Sequence, residues 1–223
     1  RRSAVPALLP EGTAKVTFTS GTTGAPKGVC LSAETMLAVA RGLADAMAPL
    51  AIERHLVALP LPVLLENLAG VYAPLWHGTG IVVPPLAAVG LTGSSSFDPA
   101  TLDAMVRRER ANSVITLPQM LRAWTAWRSA TGRTSRGELR FVAVGGAAVG
   151  RALIGRARAA GLPAYEGYGL SEGSSVQTLN LPGAQRPGSA GCALPHARTR
   201  IAADGEIEVA GSLFLGYLGD STP

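Results

Sequence analysis

The chain has 223 residues, 47% of them hydrophobic, enough for one substantial α/β core. Its net charge of +5 comes mainly from arginines scattered along the chain, and aromatics make up only 5%, so a stacking surface for nucleic acid is not indicated. The apolar stretch 56–76 is broken by Pro60, Pro62, Glu66, Asn67 and Pro74, which excludes a membrane span, and residues 1–6 lack the continuous apolar core of a targeting peptide.

In chain order, residues 15–20 read as a strand entering a Gly/Thr-rich loop, and Val29-Cys30-Leu31 suits a second strand beyond it. Ser32 is placed to cap a helix reaching about Met47, with Met36, Leu37, Ala40, Leu43 and Met47 on one face. Residues 55–59 predict a short strand, 67–76 a helix, 80–83 another strand and 91–96 a flexible loop. Asp98-Pro99 supplies a cap followed by proline at the first helical position, opening a helix through Arg110. A strand over 113–116, a helix over 118–127, a strand over 139–144 and a helix over 149–160 follow. Strands separated by single helices predict an α/β fold, a largely parallel sheet flanked by helices. From Gly188 onward Gly and Pro become frequent and helical periodicity stops. That places a boundary between a core at 1–187 and the start of a small β-subdomain at 188–223.

Residues 18–29 read Phe-Thr-Ser-Gly-Thr-Thr-Gly-Ala-Pro-Lys-Gly-Val. Glycines let main-chain N–H groups approach a ligand, hydroxyls add donors, and an ammonium adds a point charge for a polyphosphate. The ordinary P-loop needs Gly-Lys followed by Ser or Thr and then a helix. Here Lys27 lies between Pro26 and Gly28, so the loop joins two strands. Lysine occurs only at 15 and 27, which adds weight to the one inside the loop.

This run resembles the phosphate loop of the adenylate-forming superfamily: acyl-CoA synthetases, peptide-synthetase adenylation domains and luciferases. Three more segments are similar to that family's motifs, in the expected order. They are Gly145-Gly146-Ala147-Ala148-Val149 after an apolar strand, Glu166-Gly167-Tyr168-Gly169-Leu170-Ser171-Glu172, and Arg186-Pro187-Gly188 through Gly205-Glu206-Ile207-Glu208-Val209 to Gly216-Tyr217. The resemblance implies ATP, Mg²⁺ and CoA as cofactors and co-substrate, with a small carboxylic acid as partner. By it, Thr19, Ser20, Gly21, Thr22, Thr23 and Gly24 would hold the β- and γ-phosphates with Lys27 nearby. Glu172 would hold Mg²⁺, and Ser171 would bond the α-phosphate region. Tyr168, between Gly167 and Gly169, would stack on adenine, while the backbone of Gly145, Gly146 and Ala147 would line the adenine and carboxylate side. Lys27 and Glu172 are the catalytic candidates.

Each residue also has a plain structural role open to it: Glu172 as a helix start, Tyr168 as a core or surface aromatic, Gly145-Gly146 as a tight strand-to-helix turn. His55, His77 and His196 are not spaced as ligands and read as single structural imidazoles. Glu66 reads as a surface charge. Cys30 and Cys192 read as buried thiols, which suits the cytoplasm. Leu59-Pro60-Leu61-Pro62 with Glu66 faintly resembles long-chain acyl-CoA synthetases, favouring a fatty or other apolar acid. An adenylation module serving a carrier protein, or a non-catalytic nucleotide-binding module, stays open. The family's ribose-binding Thr-Gly-Asp segment, its hinge and its C-terminal lid with the catalytic lysine do not occur in these residues, which implies a central portion of a larger enzyme.

Overall fold

The computed structural model describes residues 9–19, 26–93, 96–135 and 137–219. The first hairpin pairs β1 (Thr13–Thr19) with β2 (Lys27–Ser32) antiparallel, in a register that sets Thr19 opposite Lys27 at its open end. Ser32 ends β2 and caps α1 (Ala33–Met47), its side chain accepting from Thr35 N–H at 3.1 Å. The buried stripe of α1 is Met36, Val39, Ala40, Leu43 and Ala44, the i, i+3, i+4, i+7, i+8 pattern of a helix laid on a sheet. Leu37, expected on that stripe, is 45% exposed: it is one residue past Met36, about 100° around the helix.

The strands expected from the sequence follow: β3 (Arg54–Leu56), β4 (Gly80–Val82), β7 (Ser113–Thr116) and β8 (Phe141–Val144). The segment between β3 and β4 is wound as a π-helix over Glu66–Tyr72, continued by the short α2 (Ala73–Trp76). Residues around the expected loop at 91–96 form two short paired strands, β5 (Leu91–Thr92) and β6 (Ser96–Phe97). Asp98 caps α3 (Pro99–Arg108), and α4 (Pro118–Ala130) and α5 (Arg151–Ala159) follow β7 and β8. The chain then runs through β9 (Ala164–Leu170) and β10 (Ser175–Leu179) into β11 (Cys192–Ala193), β12 (Ala197–Ile201), β13 (Ile207–Gly211) and β14 (Gly216–Tyr217).

The central sheet has seven strands in the order β11-β10-β9-β8-β7-β3-β4. The five from β9 to β4 are parallel, and β10 and β11 add on antiparallel. Helices cover both faces, so the parallel strands carry apolar side chains on each side. Leu56, Val114 and Val142 face one core with residues of α3, α4 and α5, around Trp124 at 0% exposure. Phe141 faces the other, with α1, β2 and the π-helical turn. Within the first core, buried Asp103 accepts from Trp124 Nε1 at 3.0 Å and from Arg128 Nε at 2.7 Å. Beyond residue 188 the chain is β-structured: β12 and β13 form their own hairpin, while β14 pairs with β2. Cys30 is buried, whereas Cys192 is exposed, contrary to the sequence reading, because β11 is a two-residue edge strand. Among the described residues no helix is long and apolar enough to cross a membrane.

Candidate functional site

A cavity of about 620 Å³ runs along the face of the parallel sheet beneath α1 and the π-helical turn. This is the size of a small-molecule site. One end lies past the carboxyl ends of β8 and β9, where open α/β sheets bind ligands. Its wall there includes Thr17, Phe18 and Thr19 of β1, Gly145 and Gly146 directly after β8, and Gly167, Tyr168, Gly169 and Ser171. The other end reaches Ile52, His55, Thr79 and Ser113 near the amino ends of β3 and β7, and the middle is walled by Leu43, Met47, Val63, Leu65, Phe141 and Ala143.

Among the described residues expected from the sequence to act together, Thr19, Gly145, Gly146, Gly167, Tyr168, Gly169 and Ser171 therefore meet at one end of this cavity. Thr19 closes the hairpin mouth opposite Lys27. Ser20, Gly21, Thr22, Thr23 and Gly24 lie outside the described residues. Gly146 has φ +86, a backbone shape that glycine adopts without strain, and its exposed main chain sits at the cavity rim beside buried Gly145. Ala147 is exposed just outside the cavity wall. Tyr168 is half-buried in that wall, next to a bulge where β10 shifts register against β9. Gly169 has a packing reason besides any ligand: a Cβ there would lie 2.1 Å from Ser175 O.

Lys27 and Glu172 are linked by a residue to which the sequence reading assigned no role. β14 lies against β2, with Tyr217 paired to Val29. Lys27 Nζ stands 4.9 Å from the centre of the Tyr217 ring, a cation–π contact, and Tyr217 Oη donates to Glu172 Oε1 at 2.9 Å. Glu172 itself sits in the short turn Ser171–Gly173, held by Phe214 N–H donating to its main-chain oxygen at 2.7 Å. The ammonium, the phenol and the carboxylate thus form a row beside the cavity mouth. Among the described residues no three His, Cys, Asp or Glu side chains group as a metal site. A cation at Glu172 would be held by a carboxylate plus ligand oxygens, the usual arrangement for Mg²⁺ on a nucleotide.

A family model described as AMP-binding enzyme matches residues 2–218. The chain belongs to the AMP-binding enzyme family. It is 32% identical over 206 residues to an indoleacetate–CoA ligase of Aromatoleum aromaticum, covering 89% of this chain and 37% of that protein. It is also 32% identical over 222 residues to a feruloyl-CoA synthase of Amycolatopsis sp, covering 91% and 42%. Among solved structures, o-succinylbenzoate CoA synthetase of Bacillus subtilis, in complex with its acyl-adenylate intermediate, superimposes with a TM-score of 0.75 at 23% identity, covering 96% of this chain and 56% of that one. The same enzyme with ATP and magnesium gives a TM-score of 0.74 at 24% identity, covering 96% and 44%. At that identity the likeness shows the fold alone. The chain spans about 40% of the length of these two curated relatives.

The inner end of the cavity corrects two sequence readings. Glu66, expected at the surface, is 0% exposed, its Oε1 3.2 Å from His55 Nε2 and its Oε2 accepting from Leu59 N–H at 3.0 Å. His55 is not a lone imidazole, because its Nδ1 also lies 2.8 Å from Ser113 Oγ. One signal for this was present: a single carboxylate in an otherwise apolar stretch needs a buried partner. His196 does stand as a single, half-buried imidazole. Its Nε2 donates to Val176 O at 2.7 Å, and burial pushes its pKa down, outweighing that bond.

Proposed function

We propose that this chain carries the nucleotide- and acid-binding core of an acyl-CoA synthetase-type ligase. The whole protein would join a carboxylate to AMP and then pass the acyl group to CoA. The observation that carries the proposal is the shared cavity: Thr19, Gly145-Gly146, Tyr168 and Ser171 line one end of a long apolar channel, with Lys27 and Glu172 beside them.

In the first step a carboxylate oxygen attacks the α-phosphorus of ATP, and the bond to the pyrophosphate oxygen breaks with its electron pair leaving on pyrophosphate. Two like charges 4 Å apart repel by about 1 kcal/mol in water and about 4 kcal/mol near a protein surface. The site must therefore supply positive potential and alignment more than a general base. Lys27 and the loop Thr19 to Gly24 would neutralise and hold the β- and γ-phosphates. Ser171 would donate to the α-phosphate, Tyr168 would cover the adenine, and the main chain at Gly145 to Ala147 would border the reacting carboxylate. Glu172 would hold the Mg²⁺, which supplies charge neutralisation on the phosphates when bound. In the second step the CoA sulfur attacks the acyl carbon and AMP leaves.

The middle of the cavity offers aliphatic and aromatic wall, so an apolar acid, fatty or aryl, fits it. The relatives' own acids, indoleacetate and ferulate, are aryl acids, and a long-chain-fatty-acid–CoA ligase of Thermus thermophilus is 31% identical over 185 residues. The test is ATP–pyrophosphate exchange by the whole protein over a panel of apolar acids, expected to be acid-dependent. Lys27→Ala and Glu172→Gln should each lower it at least tenfold. No exchange with any acid, or exchange untouched by either substitution, would refute the assignment.

A further inference from the structure

The apolar channel ends on a built polar chain. His55 and Ser113 are partners across the parallel β3–β7 pair, and both line the inner end of the cavity. Their neighbours Leu56 and Val114 point to the opposite face, into the other core. Behind them Glu66 accepts from Leu59 N–H and holds His55 Nε2, so the bonded order is Glu66, His55, Ser113, with the last two on the cavity wall. Their exposures are 0%, 3% and 2%. Burying three polar side chains beside an aliphatic wall costs free energy that Val or Leu would not, so the chain calls for a reason.

We infer that Ser113, oriented by His55 and Glu66, binds a hydroxyl group carried at the far end of the acyl substrate. This rests on the cavity being the acyl site, as proposed above. The donor and acceptor count leads to a hydroxyl. A carboxylate only accepts, so Glu66 keeps the proton of the imidazole on Nε2. With neutral His55, Nδ1 then accepts the Ser113 proton, and Ser113 Oγ is left with acceptor capacity toward the cavity. With His55 charged, Nδ1–H donates to Ser113 Oγ, and the Ser113 proton is left to donate. A hydroxyl, both donor and acceptor, matches Ser113 in either state, whereas a methyl terminus matches neither. The spacing gives the length. Ser113 pairs with Phe141, and Gly145, at the carboxylate end, is four residues further along at ~3.3 Å each, about 13 Å. That suits a hydroxy acid of medium chain length.

The experiment titrates the whole protein with two acyl-sulfamoyl-adenosines, stable mimics of an acyl-adenylate, carrying decanoyl or ω-hydroxydecanoyl. The hydroxylated mimic should bind about tenfold tighter. In Ser113→Ala the ratio should fall to about one while the decanoyl mimic keeps its affinity within about twofold. In Glu66→Gln, which leaves Ser113 in place but disturbs its orientation, the ratio should fall part-way, an effect that a purely structural role would not produce. Melting curves identify any variant that has failed to fold. If so, a Ser113→Cys variant, close in volume and a poorer hydrogen-bonding group, should also lower the ratio. Equal binding of both mimics, or a ratio unchanged in Ser113→Ala, overturns the hydroxyl assignment and leaves the acyl site standing. Failure of either mimic to bind overturns the acyl site as well.

Discussion

Replacing Glu66 tests whether the inner polar chain is a real part of the folded protein. In Glu66→Ala, two buried donors, His55 Nε2–H and Leu59 N–H, lose their acceptor. Each unsatisfied buried group costs about 1–3 kcal/mol, so the loss should be about 2–6 kcal/mol before any cavity is counted. Domains of this size hold only about 5–15 kcal/mol in total, so the alanine variant should be severely weakened. Glu66→Gln is the milder probe: its amide oxygen can satisfy one donor while its NH₂ faces the other, for a loss of about 1–3 kcal/mol. Urea unfolding followed by the fluorescence of the three tryptophans measures both, with the slope expected to stay unchanged. A loss below about 0.5 kcal/mol in Glu66→Ala is what a solvated surface charge would give. That result would refute the buried relay and remove the support behind Ser113.

Asp103→Ala should cost about 3–5 kcal/mol, because it leaves Arg128 buried and unpaired and orphans Trp124 Nε1–H; a loss under 1 kcal/mol in urea unfolding would contradict the pairing. Gly169→Ala drives its Cβ against the Ser175 carbonyl, a backbone atom that no rotamer change can move, so a loss at or above about 2–3 kcal/mol is expected. A wild-type melting temperature in that variant would show the β9–β10 approach to be looser than described. For His196 the folded pKa lies below the unfolded one, so the unfolded state binds the proton more readily. Its contribution to stability is complete above about pH 6.5 and is lost as pH falls below that. Melting temperatures from pH 7.5 to 5 should therefore decline less steeply in His196→Gln, and parallel profiles would exclude this histidine as the cause.

Local signals in the chain marked out most of the elements and several residues that line one end of the cavity. Ser32 and Asp98 capped helices where expected, since a cap needs only a side chain and two or three following N–H groups. The four-residue strand Ser113–Thr116 was legible because a strand buried on both faces is a short apolar run between turns. Likewise Tyr168, Gly169, Leu170 and Ser171, adjacent in the chain, lie together in the cavity wall. The π-helical winding of Glu66–Tyr72 was not legible, as an apolar run fits a helix of either pitch. Nor were the Tyr217–Glu172 bond, which spans 45 residues, and the His55–Ser113 contact, which spans 58. Both depend on strand pairing: β14 on β2, and β3 beside β7. Local propensity sees about one turn of chain at a time, whereas sheet register joins distant residues through hydrogen bonds that any sequence can make. That is why side chains acting with their neighbours could be named beforehand, and why the partners across strands were decided only when the sheet closed.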